Sequence, residues 1–327
     1  MVKIQKIQKN LSKNMLLYTL LAIILGILLG HYFNLKSLSN LIIPVVFFMI
    51  FPMMINLSLS SLKKIKGSTK PIIEAMILNF IYAPLFMWLL TSIFISDPKI
   101  RLALMLLSIA PASSMGLGYI GLAEGNLLSG AIMVALAFLL SIFIYPFAGH
   151  YFALGVNIQA PFSLILKNLL VILILPFILG IVIREYVERK HGLKTFLKIK
   201  PYFSILTLLF LYILIFIIFA SKANLILKNY FDIILLLPIA IIFYGITVLF
   251  TLLINKKLFS FEYGHHQAVV FTSVSKNIAL TIAILVSVFG KEGEYMAVFP
   301  AIMSLFQAPF LMIYLKLSGK IKLWFEK

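Results

Sequence analysis

The chain has 327 residues, of which 62% are hydrophobic and only 12% charged. Soluble domains average about 25% charged residues, and no soluble fold of this length can bury so much apolar surface, so a polytopic membrane protein is the class that fits. Cysteine is absent, which excludes disulfides, zinc–thiolate sites and thiol nucleophiles, and the net charge of +18 sits in short loops between apolar runs, which argues against nucleic acid as a partner.

Met1 to Lys13 is basic, and the apolar run after it continues to full spanning length without a small-residue cleavage site, so no cleavable signal peptide is expected. Ten apolar runs of about spanning length follow in order: 15–33, 39–59, 71–95, 102–122, 127–149, 162–183, 203–220, 233–255, 268–290 and 295–315. The longest connection, Arg184 to Tyr202, is rich in Lys and Arg, and no segment is long enough for a soluble domain. With the N-terminus in the cytoplasm, inside segments carry 20 Lys and Arg and outside loops 6; Lys167 and Lys276 lie within spans. That bias predicts ten spans in the plasma membrane with both termini cytoplasmic. Ten spans divide into five plus five. A five-span unit begins and ends on opposite sides, so a second copy must be inverted, a common transporter plan.

Two runs are interrupted at mid-depth. The fourth carries Pro111-Ala112-Ser113-Ser114-Met115-Gly116-Leu117-Gly118, and the ninth carries Thr272-Ser273-Val274-Ser275-Lys276-Asn277. Pro111 lacks an N–H and crowds the preceding turn, and Gly116 and Gly118 each lower helix propensity by about 1 kcal/mol. A broken helix is predicted there. The bland alternative is that small residues only let helices approach closely.

Lys276 lies in the long apolar run Ala268–Gly290, which holds no acidic residue. A charge at that depth costs roughly 2.5 kcal/mol or more in hydrocarbon. Snorkelling is disfavoured, because the residue is about eight positions, roughly 12 Å, from the nearer end of its span. Three readings stay open: a structural pairing with helix-end carbonyls, a tethered ammonium in place of a metal ion, or a titrating group linked to protons. Lys167, near the end of its span, can snorkel outward. Glu74, about four residues into the third span, is expected to be solvated near the cytoplasmic mouth, with a gating or proton-path role as the alternative. His265 and His266 fall in a loop before the ninth span, and adjacent histidines point apart with no third ligand evident, so no metal site is expected. Asn79, five residues before Pro84, places an amide in an apolar span. Ser129, Gln307 and Pro309 are weaker candidates.

At these residues the chain resembles the bile acid/sodium symporter superfamily, which includes the arsenite permeases of arsenical resistance. The resemblance covers nearly the whole length and rests on Asn79-Phe80-Ile81-Tyr82-Ala83-Pro84, on Ala110-Pro111 with Gly121-Leu122-Ala123-Glu124-Gly125-Asn126, and on Lys276-Asn277. It implies a panel domain (residues 1–70 with helices 1–2 and 151–222 with helices 6–7) and a core domain (71–150 with helices 3–5 and 223–327 with helices 8–10). It also implies that spans 4 and 9 are unwound and cross in the core, and that access alternates with substrate held beside that crossing. The symporters use a Ser-Asn pair as sodium ligands where Gly116 and Leu117 stand, a shared Glu where Thr272 stands, and a Gln where Lys276 stands. Asn79 and Ser129 fall where an amide and a hydroxyl ligand are expected, and Ala112 where the arsenite permeases have a cysteine.

The expectation is therefore an all-α secondary transporter of small organic anions, independent of sodium. Lys276 stands in the cation's place, and a proton is the candidate coupling ion. Its expected substrate and ion site comprises Lys276, Asn277, Ser275, Thr272, Ser113, Ser114, Pro111, Gly116, Asn79, Ser129 and Gln307. No metal and no cofactor are expected, and no ATP-binding motif is present. The nearest rival is a metalloid or arsenite efflux permease working without thiols. A channel and an intramembrane enzyme are more remote: no span pairs two acids, and Ser275 beside Lys276 diverges by about 100° on a regular helix.

Overall fold

A computed structural model of the chain describes residues 2–57, 68–159 and 162–326, and those residues form helices joined by short turns. Lys63, Lys64 and Lys66 of the charge count, and the end of the run read at 39–59, lie outside the described residues. In chain order the helices are α1 Val2–Lys13, α2 Met15–Tyr32, α3 Ile42–Asn56, α4 Thr69–Ile77, α5 Ala83–Phe94, α6 Pro98–Ser108, α7 Gly116–Leu122, α8 Leu127–Gly155, α9 Phe162–Leu169, α10 Leu175–Ser221, α11 Ala223–Lys228, α12 Tyr230–Lys257, α13 Tyr263–Val274, α14 Ile278–Met296 and α15 Val298–Phe325.

Among the described residues, seven helical stretches are long and apolar enough to cross a membrane: Met15–Tyr32, Lys36–Asn56, Thr69–Phe94, Leu127–Gly155, Leu175–Ser221, Tyr230–Lys257 and Val298–Phe325. The other runs are cut or merged. Those read at 102–122 and 268–290 are cut into pieces that are too short or too polar to span alone. Those at 162–183 and 203–220 share α10, whose course is broken at Gly192 with φ 78°, a left-handed conformation that glycine adopts without steric cost.

The chain divides into two compact units. One comprises Met1–Leu57, Ala160–Phe231 and Ala279–Ala301. Within it α2 packs on α10 through Gly26 and Gly30, spaced one helical turn apart. A Cβ on Gly30 would sit 2.1 Å from the Ala220 carbonyl oxygen, so only glycine permits this approach. Lys222 and Glu294 form an ion pair at 2.6 Å in the same unit.

The second unit comprises Ser58–Gln159, Asp232–Ile278 and Ile302–Lys327. Its third run is helical throughout, but Leu78–Tyr82 is a π turn between α4 and α5. The turn that follows α7 is built by the segment that marks the family resemblance. Glu124 takes φ 56°, Asn126 caps α8 by accepting from the Ser129 N–H at 3.0 Å, and the Asn126 N–H donates to the Gly264 carbonyl at 2.8 Å. Leu122-Ala123-Glu124-Gly125-Asn126 is therefore a turn-and-cap device that docks on the start of α13.

Candidate functional site

Pro111 sets the first break. It cannot donate to the carbonyl a turn back, and it forces Ala110 out of the helical region. α6 accordingly ends at Ser108, and α7 begins only at Gly116. The second break falls between Val274 and Ile278. Thr272 and Ser273, read as part of that interruption, are helical. The Thr272 hydroxyl returns to its own helix, donating to the Ala268 carbonyl at 2.7 Å.

Broken backbone inside a membrane protein must find partners, because lipid offers none. Here the two breaks satisfy each other. Ala112 and Lys276 form an antiparallel bridge, in which the Ser113 N–H donates to the Ser275 carbonyl at 2.7 Å and the Asn277 N–H donates to the Pro111 carbonyl at 2.9 Å. In this register position 111 need only accept, so proline fits there. Gly116 lies close by: a Cβ would meet the Phe271 carbonyl oxygen at 3.1 Å and the Ser275 Cβ at 3.5 Å. A Cβ on Gly118 would meet nothing within 4 Å. Close packing thus accounts for Gly116, while Gly118 has only its conformational effect.

Lys276 is 1% exposed. Gln307 of α15 grips its backbone with both ends of one amide: Oε1 accepts from the Lys276 N–H at 2.9 Å, and Nε2 donates to the Lys276 carbonyl at 3.3 Å. The ammonium donates to Asn79 Oδ1 at 2.7 Å and to the Asn79 carbonyl at 3.4 Å. That carbonyl is free for a local reason. In the π turn the Ala83 N–H bonds Leu78, five residues back. The same register would give the Asn79 carbonyl to residue 84, which is proline and has no N–H. The Asn79 amide is held in turn by donation to the Ala75 carbonyl at 2.8 Å. Among the described residues, none of the ion pairs involves Lys276. The site is a single buried cation, ligated by neutral oxygens, at the meeting of two interrupted helices.

Of the eleven residues expected at the site, Lys276, Asn79, Gln307, Ser275, Asn277, Pro111, Ser113 and Gly116 are brought together, and the Thr272 carbonyl lies 3.5 Å from the Asn79 amide nitrogen. Ser114 is exposed at the break and bonds its carbonyl to the Leu117 N–H at 3.2 Å. Ser129 is elsewhere: its hydroxyl bonds Ser68 at 2.7 Å and His265 Nδ1 at 3.0 Å. Two further expectations are corrected. Glu74 is not solvated but 6% exposed, because α8, α12 and α13 close over α4. His265 and His266 lie in the first turn of α13 rather than in a loop, and they point apart, to Ser129 and to Asn255 with Tyr314. The sequence carried a signal for this second cluster that a search for charges passes over. Thr247, Thr251 and Asn255 recur every four residues in an apolar helix, which puts them on one face.

The chain is 25% identical to an uncharacterized transporter of Synechocystis sp., over 97% of this chain and 90% of the relative. It is 24% identical to the arsenical-resistance protein Acr3 of Corynebacterium glutamicum, over 86% of this chain and 81% of the relative. Residues 43–229, more than half the chain, match the sodium bile acid symporter family, and the chain belongs to that family of multi-pass membrane transporters.

Proposed function

We propose that this chain is a secondary carrier of small organic anions that works by alternating access without sodium, with the Lys276 ammonium occupying the place of a bound cation. The observation that carries the reading is the placement of that ammonium, 2.7 Å from Asn79 Oδ1 and 1% exposed, where two broken helices meet. A buried charge is retained in a membrane when it faces a pathway or a ligand. A fixed positive charge with no carboxylate partner among the described residues favours anions, and carboxylates above all. Asn277, Ser275, Thr272, Ser113, Ser114, Pro111, Gly116, Asn79 and Gln307 complete the proposed substrate and ion-binding region. With it go ten spans as two inverted five-helix repeats, panel segments 1–70 and 151–222, core segments 71–150 and 223–327, and cytoplasmic termini in the plasma membrane. Transport is uniport or proton-linked.

The likeness to an arsenical-resistance protein favours a second reading, carriage of a neutral metalloid acid. It would have to proceed without thiols, since the chain has no cysteine. Purified protein in liposomes, preloaded in turn with mono- and dicarboxylates, separates the two when counterflow of the radiolabelled acid is measured with choline in place of sodium. The carrier reading expects counterflow without sodium and a loss of at least about tenfold, worth about 1.4 kcal/mol, in Lys276→Gln. Counterflow unchanged in rate and pH dependence in Lys276→Gln refutes the role given to the lysine. Raised arsenite tolerance of cells expressing the chain, with no carboxylate counterflow, selects the second reading.

A further inference from the structure

The second unit buries another polar set that the anion site does not use. Glu74 of α4, Asn255 of α12, His266 and Gln267 of α13 and Tyr314 of α15 are each at most 6% exposed. They form one continuous chain. Asn255 lies against both Glu74 carboxylate oxygens, its amide bonds His266 Nδ1 at 3.1 Å, His266 Nε2 bonds Tyr314 Oη at 2.8 Å, and Gln267 Nε2 bonds Tyr314 Oη at 3.1 Å. Phe325 stacks on the His266 ring at 4.4 Å and covers it.

This chain can be satisfied in two opposite directions. In the first, Asn255 Nδ2 donates to Glu74 Oε2 at 2.8 Å and to the Thr251 carbonyl at 3.2 Å, and Asn255 Oδ1 accepts from His266 Nδ1. His266 Nε2 then accepts from the Tyr314 hydroxyl, which accepts from Gln267. That pattern suits an ionised Glu74, which can only accept. In the second, Asn255 Oδ1 faces the Glu74 carboxyl, which needs a proton there to donate; Asn255 Nδ2 donates to His266 Nδ1, and His266 Nε2–H donates to Tyr314 Oη. The tyrosine hydroxyl then needs an acceptor. Gln267 Oε1 is a buried oxygen with no partner, and turning that amide supplies it. One proton taken up at the Glu74 carboxyl reverses the chain: the Asn255 and Gln267 amides turn, and on the His266 ring the Nδ1–H bond breaks as an Nε2–H bond forms, so the ring stays neutral and the chain gains one proton in all.

We propose that Glu74, Asn255, His266, Tyr314 and Gln267 form a proton-binding site whose hydrogen-bond chain inverts when Glu74 takes up a proton from water, and that this proton accompanies the transported anion. The other ionisable groups on the surrounding elements are engaged elsewhere. Lys70 is exposed one turn before Glu74, His265 bonds Ser129, Lys276 bonds Asn79, Tyr145 of α8 donates to the Leu106 carbonyl, and Lys256 of α12 donates to the Phe325 carbonyl. Among the described residues no cation forms an ion pair with Glu74. α13 begins beside this chain and ends at the Lys276 break, so one rigid helix joins the two sites.

The coupling half of this proposal rests on the carrier reading; the binding half does not, and the test separates them. Infrared difference spectra of the purified protein in lipid, recorded across a pH titration in water and in deuterium oxide, read the protonated-carboxyl stretch directly. Wild type is expected to show a band that Glu74→Gln loses and that Asn255→Leu, lacking the hydrogen-bond partner, shifts in frequency. Identical spectra for wild type and Glu74→Gln overturn the site. In liposomes that show carboxylate counterflow, one pH unit across the membrane should drive about tenfold accumulation of a monocarboxylate. Glu74→Gln should keep counterflow at equal pH while losing that accumulation. Counterflow without any pH-driven accumulation in wild type overturns the coupling. Where no carboxylate shows counterflow it is the carrier reading that fails, and the infrared result alone decides the site.

Discussion

Replacing Asn79 with alanine removes the shorter of the two acceptors that hold the Lys276 ammonium, the Oδ1 at 2.7 Å, and leaves the backbone carbonyl at 3.4 Å. A hydrogen bond to a charged group contributes about 1.5–3 kcal/mol, whereas neutral side-chain bonds between membrane helices average about 0.6 kcal/mol. The size of the coupling therefore tells the two apart. Asn79 also donates to the Ala75 carbonyl at 2.8 Å, and that loss is common to both backgrounds. A double-mutant cycle with Lys276→Met cancels it. Reversible SDS denaturation in mixed micelles, followed by far-ultraviolet ellipticity, supplies the four free energies. Asn79→Ala should cost about 2–3 kcal/mol beside Lys276 and at least 1.5 kcal/mol less beside methionine. Equal costs in the two backgrounds would refute the claim that this amide carries the buried charge.

The two glycines that restart the broken fourth run should behave oppositely in the same denaturation assay. Gly116→Ala places a Cβ 3.1 Å from the Phe271 carbonyl oxygen and should destabilise, while Gly118→Ala meets nothing within 4 Å and should stabilise by about 0.4–1 kcal/mol through reduced unfolded-state freedom. A stabilising Gly116→Ala would mean that the approach there is not tight, and a destabilising Gly118→Ala that the space beside it is not open. Gln307→Leu takes away the amide that accepts from the Lys276 N–H at 2.9 Å and donates to its carbonyl at 3.3 Å, so it should cost about 1–3 kcal/mol. A loss under about 0.5 kcal/mol would show that the break is held by its bridge to Ser113 and Pro111 alone.

Local chemistry made several features legible from residues 111–118 and 272–277. Pro111 cannot continue a helix, and the structure breaks there, whereas Gly116 and Gly118, expected to share in the break, lie inside α7. The position of the second break shifted, because threonine and serine tolerate helix when their hydroxyls bond the preceding turn, as Thr272 does. Asn79 is legible as an amide in an apolar span and Gln307 only as a weaker candidate, and each bonds Lys276. Ser129 did not join them: its place in the first turn of α8 hands its hydroxyl to Ser68 and His265. Glu74 is buried although it lies only about four residues into its span, because burial depends on which helices close over it rather than on distance along the span.

Composition and one-dimensional pattern were enough to determine a multi-pass membrane protein with an unusual buried lysine and interrupted helices, because those properties follow from the cost of placing polar groups in hydrocarbon. Family membership was equally legible in short motifs. Only the tertiary structure decided that Asn79 and Lys276, 197 residues apart, meet at hydrogen-bond distance. It alone set the register by which Pro111 accepts and Ser113 donates, and it alone closed a five-residue polar chain around Glu74. Such contacts depend on how separate helices pack, and no spacing along the chain encodes the distance between two of them.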